Sequence, residues 1–403
     1  MLVKGFSKHC DKLFLQTFDK IGEIWYTDGM QTNSELKKHN IVTIFRALQQ
    51  HGRLSRKELA CITNLSWGSV SAISNELILR DIVVAEKERS AGGRPAEVLT
   101  LNPYRFLRLG IDINSGGLTF VIVNLQGKTL YEDSKQLKSR RKEEVLAQIF
   151  EETEKLLSST TKVLDISLSM QGKIHRETGV SVRANFSEDW ANVPLVALFE
   201  ERFHLPTFLY HDPDCLLYYH LSNDGRLHGK RDGFVVRLDN GIGMARLLQG
   251  KLYTATDDGG YEFGQMIAVR DGKDFLGGKR GCLEAYASIR GMKEVYEAET
   301  GGDFIQNLSE NEPRAQRVLQ EGMKYLGLAI ANLFILSSPE FILLDGALLT
   351  LAPRCFADIE KYVQAYAEEE YPLLCAHYKK EAPAVGACLL TLEKNTEALL
   401  FPL

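Results

Sequence analysis

Apolar residues recur at helical spacing from Asn33 to His51, where Leu36, Ile41, Ile44, Phe45 and Leu48 share one face and Gly52 closes the run. The spacing predicts a helix there. A shorter pattern follows in RLSRKELACITNLSWGSVSAISNELILRDIVV. Ser55 with Glu58 three residues on forms a capping box, and Leu59 and Ile62 give the helix behind it one apolar side. Asn64 and Leu65 make a turn, and Ser66 caps a second helix in which Val70, Ile73 and Leu77 repeat at i, i+3 and i+7. Ile82 to Ala85 then reads as a strand, EKERSAGGRP as a loop and Glu97 to Leu101 as the returning strand. Two short helices, a tight turn and a hairpin in this order predict a winged helix-turn-helix over residues 33–104. Ahead of it, Leu13, Phe14, Leu15, Phe18, Ile21, Ile24 and Trp25 predict an amphipathic helical extension over residues 1–32.

From Phe106 the pattern changes to strands alternating with helices. FLRLGIDINSGGLTFVIVNLQGKTLYEDSKQL reads as three strands joined by turns at Asn114 to Gly117 and at Gln126-Gly127. Lys142 to Ser159 is an amphipathic helix, Val163 to Ser169 a buried strand, and Thr207 to Tyr210 a strand running into His211 and Asp212. A second unit starts near Gly233 with strands Phe234 to Leu238 and Met244 to Gln249, a helical stretch from about Ser309 to Leu336, and strand Phe341 to Leu344. The repetition predicts an α/β fold of open sheets covered by helices, with ligands at strand ends. The C-terminal PAVGACLLTLEKNTEALL reads as a helix whose Gly386 and Ala387 permit close packing.

Composition fits a globular protein of two or three domains, with 403 residues, 44% hydrophobic and 25% charged. The N-terminus lacks the continuous apolar core of a secretory signal, and the run Leu326 to Leu336 is shorter than the roughly 20 residues a bilayer requires. A cytoplasmic protein with no membrane partner is expected. The seven cysteines include no C-x-C or C-x-x-C pair, so free thiols in a reducing compartment are expected. Charge is distributed unevenly. Between Gln31 and Leu109 there are 12 Lys and Arg against 7 acids, which makes that segment +5 and leaves −10 for the rest of a chain whose net charge is −5. A basic segment on an acidic protein suits a polyanion. Double-stranded DNA is the expected partner, contacted by Ser66, Trp67, Ser69, Ser71, Ser74 and Asn75 on the second helix, and by Arg94 on the Gly92-Gly93-Arg94-Pro95 tip.

The stretch Arg237 to Ser288 concentrates glycines and carboxylates: RLDNGIGMARLLQG, then GGYEFGQM around Glu262, then KRGCLEAYAS with Cys282 and Glu284. Glycines admit a ligand to the backbone, and carboxylates in such a setting need polar partners. Together with LSRKELACITNLS, GGRP and QGKIHRETGVSVRANFSEDWANVPL, these segments resemble the ROK family (repressors, uncharacterised reading frames and sugar kinases), in its regulator branch. The resemblance covers about Asn33 to the C-terminus. It implies two actin-like or hexokinase-like lobes, 105–228 with 385–403 and 229–384, the second serving oligomerisation, with a sugar cleft between them.

Family kinases hold ATP phosphates against three glycine turns. The corresponding turns here carry Asn114-Ser115, Asp239-Asn240 and Asp345, which argues against kinase activity. On the sugar side the resemblance implies contacts from Gly172, Asn185, His211, Asp212, Glu262, Gln265 and Glu284, with His211 and Gln265 replacing the family's Asn and His. The family's zinc ligands correspond to Gln265, Phe275, Gly277 and Cys282; one thiolate cannot make a four-ligand site, so no metal and no cofactor is expected. Phe275 and Leu276 would pin that loop by packing instead. The resulting expectation is a non-enzymatic, DNA-binding repressor of carbohydrate metabolism that senses a sugar as a homodimer or higher oligomer. An ATP-dependent sugar kinase with a DNA-binding appendage, or a regulator answering to a protein partner, are the alternatives.

Overall fold

The computed structural model describes residues 33–88, 96–160, 162–184, 186–187, 189–253, 261–275, 279–366 and 371–401. The 1–32 extension, Arg94, Asn185, Leu276 and Gly277 lie outside the described residues.

The first unit is built from α1 (Asn33–His51), β1 (Leu54–Ser55), α2 (Arg56–Thr63), α3 (Trp67–Leu79), β2 (Val83–Glu88) and β3 (Ala96–Leu101). The capping box forms: Ser55 Oγ accepts from Glu58 N, and the Glu58 carboxylate accepts from Ser55 N at 2.8 Å. Asn64 closes α2 at φ 55°, a left-handed conformation that its short polar side chain tolerates. Ser66 Oγ then caps α3 by accepting from Ser69 N at 3.1 Å. The three strands pair antiparallel in the order β1-β3-β2, and β1 was not visible in the periodicity because it is only two residues long.

The rest of the chain builds one architectural plan twice. The first half comprises β4 (Leu107–Asn114), β5 (Gly117–Asn124), β6 (Thr129–Lys135), α4 (Lys142–Ser159), β7 (Val163–Met170), β8 (Lys173–His175), β9 (Val180–Arg183), β10 (Ala191–Val193), α5 (Leu195–Phe203), β11 (Thr207–His211) and α6 (Asp212–Asn223). Its main sheet has the order β11-β7-β4-β5-β6, an antiparallel meander β4-β5-β6 extended by parallel β7 and β11. The second half comprises β12 (Gly233–Leu238), β13 (Ile242–Leu248), β14 (Lys251–Tyr253), β15 (Asp274–Phe275), β16 (Lys279–Arg280), α7 (Glu284–Ala287), α8 (Ile289–Thr300), α9 (Phe304–Ser309), α10 (Pro313–Ser337), β17 (Phe341–Asp345), α11 (Ala347–Leu351), α12 (Cys355–Tyr366), β18 (Leu373–Cys375) and α13 (Ala382–Leu400). Its sheet repeats the order, β14-β13-β12-β17-β18, again an antiparallel meander extended by two parallel strands.

Each sheet buries one face under its own helices. Val145 and Ile149 of α4 and Phe199 of α5 pack with Ile111 and Ile166 on the first sheet, and Met323 and Ile330 of α10 pack with Val236 and Leu344 on the second. A separate core joins the halves, made by Val121, Leu217, Val235, Leu343, Val385 and Cys388, so that α6 and α13 fill the space between the sheets. Gly386 is where those helices touch: a Cβ there would stand 1.9 Å from the Cys215 carbonyl oxygen, so a side chain is excluded by backbone.

The C-terminal helix continues beyond that contact. It departs from helical geometry at Asn395 (φ −115°, ψ 17°), and Leu392 and Leu400 are buried in the core of the first unit with Ile41, Leu77 and Leu99. The Arg80 side chain at the end of α3 donates to the Leu400 carbonyl, and Lys38 of α1 lies 5.5 Å from the Phe401 ring centroid. One helix therefore spans from the space between the sheets to the first unit.

Cys215, Cys355 and Cys388 are buried free thiols, and Cys375 is half-buried. Cys61 on α2 is disulfide-bonded, which corrects the expectation of free thiols throughout. Among the described residues no helix is long and apolar enough to cross a membrane.

Candidate functional site

The two sheets meet at a cleft formed where strands end. Gln171, Gly172 and Lys173 after β7, Arg183 of β9, and His211 and Asp212 at the β11–α6 junction line one side. Arg237, Asp239, the Gly241–Gly243 turn, Tyr261, Glu262, Gln265 and Glu284 line the other. Six of the seven residues expected at a sugar site, Gly172, His211, Asp212, Glu262, Gln265 and Glu284, thus stand around one space. Gly172 holds φ +110°, and a Cβ on it would lie 2.2 Å from the Arg183 carbonyl oxygen, so the turn after β7 can close over β9 only with glycine.

An ion-pair cluster forms the floor. Arg237 projects from the fully buried strand β12 and donates from one terminal nitrogen to Asp212 Oδ2 at 2.7 Å and from the other to Asp239 Oδ2 at 3.4 Å. Asp112, at the end of β4, is completely buried and accepts from Ser169 Oγ at 2.6 Å and from Asn114 Nδ2. Burial pushes the carboxyls of Asp112 and Asp212 up to about 6, and the nearby Arg237 cation opposes the rise. Arg237 was missing from the sequence-based site. Its signal was present, since a charged residue inside GFVVRL must find a counter-charge once the strand is buried.

The opposite wall is braced by Glu284 at the start of α7. Its carboxylate accepts from Ile242 N at 3.2 Å and from Gln265 Nε2 at 2.7 Å, and burial raises its pKa to about 6. Gln265 thus braces Glu284 through a hydrogen bond from its neutral side-chain amide. Glu262 differs from Glu284 in being exposed toward the cleft. Burial holds the His211 imidazole below its ordinary value, and its Nδ1 is buried without a hydrogen-bond partner.

The glycine turns are closed by their own side chains. Asn240 Nδ2 donates to Ser115 Oγ at 2.9 Å, which ties the β12–β13 turn to the β4–β5 turn. Asp239 Oδ1 accepts from Asn240 N at 2.8 Å. Asp345 does not stand as an open charge, contrary to the sequence reading. It is 1% exposed, bonded to His220 Nε2 at 2.6 Å and accepting from Gly346 N, so the third turn's donor is already occupied.

Phe275 packs on Cys282 and Ala285 with Tyr286 beside them. Among the described residues no group of three or more His, Cys, Asp or Glu could hold a metal ion.

On the first unit, Trp67 is 59% exposed at the start of α3, Ser66 and Asn75 are exposed, and Ser69 and Ser71 are half-buried. Asn75 Oδ1 accepts from Arg56 of α2 at 2.9 Å. Ser74 corrects the sequence reading: it is 1% exposed and faces inward, because it falls on the same side of the helix as Val70 and Leu77.

A family model described as ROK family matches residues 108–394, from the first strand of the repeated fold nearly to the end of α13. The chain belongs to the ROK family. It is similar to the xylose repressor of Bacillus spizizenii (strain ATCC 23059 / NRRL B-14472 / W23), with 22% identity over 371 residues that cover 89% of this chain and 96% of that protein. Among solved structures, a ROK family transcriptional regulator described as a homolog of the E. coli MLC protein superposes with a TM-score of 0.74 at 23% identity, covering 91% of this chain and 98% of the other. A ROK hexokinase from Thermus thermophilus superposes with a TM-score of 0.61 at 20% identity, covering 72% of this chain and all of its own. The ROK fold of this chain is thus the hexokinase-like one, and the regulator's structure covers a larger share of the chain than the hexokinase's does.

Proposed function

We propose that this ROK protein is a DNA-binding transcriptional repressor of carbohydrate metabolism that binds a sugar without phosphorylating it. In this reading residues 33–104 form a winged helix-turn-helix, and residues 105–228 with 385–403 and residues 229–384 form the two lobes. The helix α3 enters the major groove with Ser66, Trp67, Ser69, Ser71 and Asn75, and Arg94 on the wing reaches the minor groove. Similarity to a xylose repressor and to a ROK transcriptional regulator over most of the chain supports a repressor. Exposed Leu328, Ile335 and Leu336 on α10 supply apolar surface for a homodimer, which a two-fold operator would match.

The observation that carries the loss of kinase chemistry is the state of the three glycine turns. Asn240 and Ser115 bind each other, Asp239 caps its own turn, and Asp345 occupies Gly346 N, so one donor or more at each of these turns is already engaged, which supports the reading. The would-be base Asp212 is held in an ion pair with Arg237. In this reading the cleft is a sugar site in which Gly172, His211, Asp212, Glu262, Gln265 and Glu284, with Asn185 as a further proposed contact, select hydroxyl stereochemistry, since acceptors fixed in a cleft reject sugars that do not present donors to them. The deciding experiment incubates the protein with ATP and a sugar panel, then measures ADP release and affinity for DNA fragments selected from a genomic library. ADP stays at background while one sugar changes DNA affinity by about 5-fold to 150-fold, the usual range of allosteric coupling. Sugar-dependent ADP release that Asp212→Asn abolishes would make the protein a kinase instead.

Binding is also expected to depend on pH with a fixed sign. Sugar hydroxyls would donate to the ionised form of Glu284, whose carboxyl burial pushes up to about 6. Affinity should be constant above about pH 7 and weaken below 6 by up to about 10-fold per unit for each of Glu284 and Asp212, which burial pushes up to about the same value, with protons released on binding near the midpoint. Calorimetry in two buffers of different ionisation enthalpy reads this directly.

A further inference from the structure

The helix that would enter the major groove has few side chains with which to read a base. Its outward stripe is Gly68, Ala72, Asn75 and Leu79, spaced i, i+4, i+7 and i+11 along α3, and all four are exposed. Glycine, alanine and leucine side chains carry no hydrogen-bonding group, so polar recognition by this stripe falls on Asn75. That amide is not free to turn. Arg56, the first residue of α2, donates from Nη2 to Asn75 Oδ1 at 2.9 Å. A guanidinium has donors only, so the amide atom facing it must be the oxygen and not the nitrogen.

Arg56 is itself held in place. β1 pairs with β3 through Ser55 opposite Val98, which brings the next residue, Arg56, beside Glu97, and the guanidinium forms an ion pair with that carboxylate. Its charge is thus compensated within the protein, and its side chain is only 17% exposed. Because Arg56 is largely buried, Asn75 Oδ1 points toward the protein, and Nδ2, on the other side of the planar amide, points outward. An asparagine that pairs with adenine must present both atoms, accepting from N6 and donating to N7. Here the donor alone is presented. Guanine meets it with two adjacent acceptors, O6 and N7, and thymine with O4, whereas adenine sets its N6 amino group against it and cytosine presents only the N4 amino group.

We propose that Arg56 is a positioning residue for base recognition: by holding Asn75 Oδ1 it leaves Nδ2 as the reading atom, so that α3 selects guanine or thymine, whose major-groove edge carries a keto oxygen, over adenine and cytosine. The inference rests on the DNA-binding reading and narrows what that helix reads.

The test enriches duplexes from a randomised library on the full chain and on Asn75→Ala, Asn75→Asp and Arg56→Met, then measures affinity for all four base pairs at the position whose preference Asn75→Ala removes. The native chain is expected to favour guanine or thymine there by about 5-fold or more, the lower end for a base-edge contact. In Asn75→Asp the second carboxylate oxygen replaces Nδ2 while Arg56 holds the first. The preference should then reverse toward adenine and cytosine, even though the added charge weakens binding to every sequence. In Arg56→Met the amide turns freely, and adenine should gain about 5-fold relative to guanine while preferences at other positions, which report a folded helix pair, stay as they were. A residue that only braced the fold would lower affinity for all sequences alike. If Arg56→Met does not fold, Asn75→Asp decides alone, since that substitution is exposed and equal in size. The proposal is overturned if the native chain favours adenine or cytosine at that position, if Asn75→Asp leaves the preference unchanged, if Arg56→Met folds without admitting adenine, or if no position depends on Asn75; enrichment of a defined sequence then leaves the DNA-binding reading standing. A native chain that enriches no sequence overturns that reading, and the role of Arg56 with it.

Discussion

Arg237→Met should cost about 3–5 kcal/mol of stability at pH 7, the range for removing one partner of a buried ion pair. The guanidinium bonds Asp212 and Asp239 and acts on buried Asp112, so its loss leaves three carboxylates facing one another. The pH dependence gives the mechanism a distinct signature. A carboxyl whose folded pKa is raised to about 6, as at Asp112 and Asp212, keeps its proton in the folded state between about pH 4 and 6 while the unfolded chain has released it. Its contribution to stability is therefore largest below about 4, falls as pH rises through that window, and is gone above 6. Removing Arg237 raises these values further. The deficit of the variant should thus be greatest at pH 7 and above and should shrink as pH is lowered to 5. Urea unfolding at pH 5, 6, 7 and 8 measures it; a deficit independent of pH would mean that the loss is one of packing rather than charge.

Leu400→Ala should destabilise the N-terminal unit by about 2–5 kcal/mol, as large-to-small changes in a core do. Leu400 is completely buried among residues of α1, α3 and β3, although it belongs to the helix that also packs against α6 between the two sheets. The variant should therefore lose DNA affinity while retaining its thermal response to sugar, because the cleft residues lie far along the chain from the substituted turn. Separate unfolding transitions, followed by exchange of the α1–α3 amides, would show the N-terminal unit melting first. Equal loss in both units would mean that α13 serves a single cooperative core and is not a connection between two.

Much of the architecture was legible because burial writes itself into periodicity. The helices Asn33–His51 and Lys142–Ser159 have the boundaries their apolar faces indicate, and the capping box at Ser55 and Glu58 is formed. The cluster of cleft residues was legible through motifs: Gly172, His211, Asp212, Glu262, Gln265 and Glu284 meet across two sheets although some hundred residues separate the ends of the set. Three things were not legible. Ser74 was assigned to the outer face of its helix, but one position of helical rotation places it with Val70 and Leu77, where a small polar residue is tolerated inside. The partner of Asp212 is set by how the two sheets meet: β11 and β12 belong to different sheets, only their approach at the cleft brings Arg237 to Asp212, and no local pattern encodes that. Asp345 looked like a charge facing phosphate, and only the docking of α6 brings His220 to it.

The central claim, that the cleft binds a sugar and binds it as a sensor, is tested most directly by thermal shift against a sugar panel with the native chain and with Glu262→Ala. Glu284 would be a poorer choice, since its carboxylate also holds Ile242 N and Gln265 and its loss would disturb the wall itself. Glu262 is exposed toward the cleft, so its truncation should leave the fold's own melting temperature nearly unchanged. A ligand at 100 times its dissociation constant should stabilise the native chain by about 2.7 kcal/mol. The account predicts that at least one sugar or anionic sugar derivative raises the melting temperature of the native chain and fails to do so for Glu262→Ala. No shift with any member of the panel, or a shift undiminished by the substitution, would contradict it.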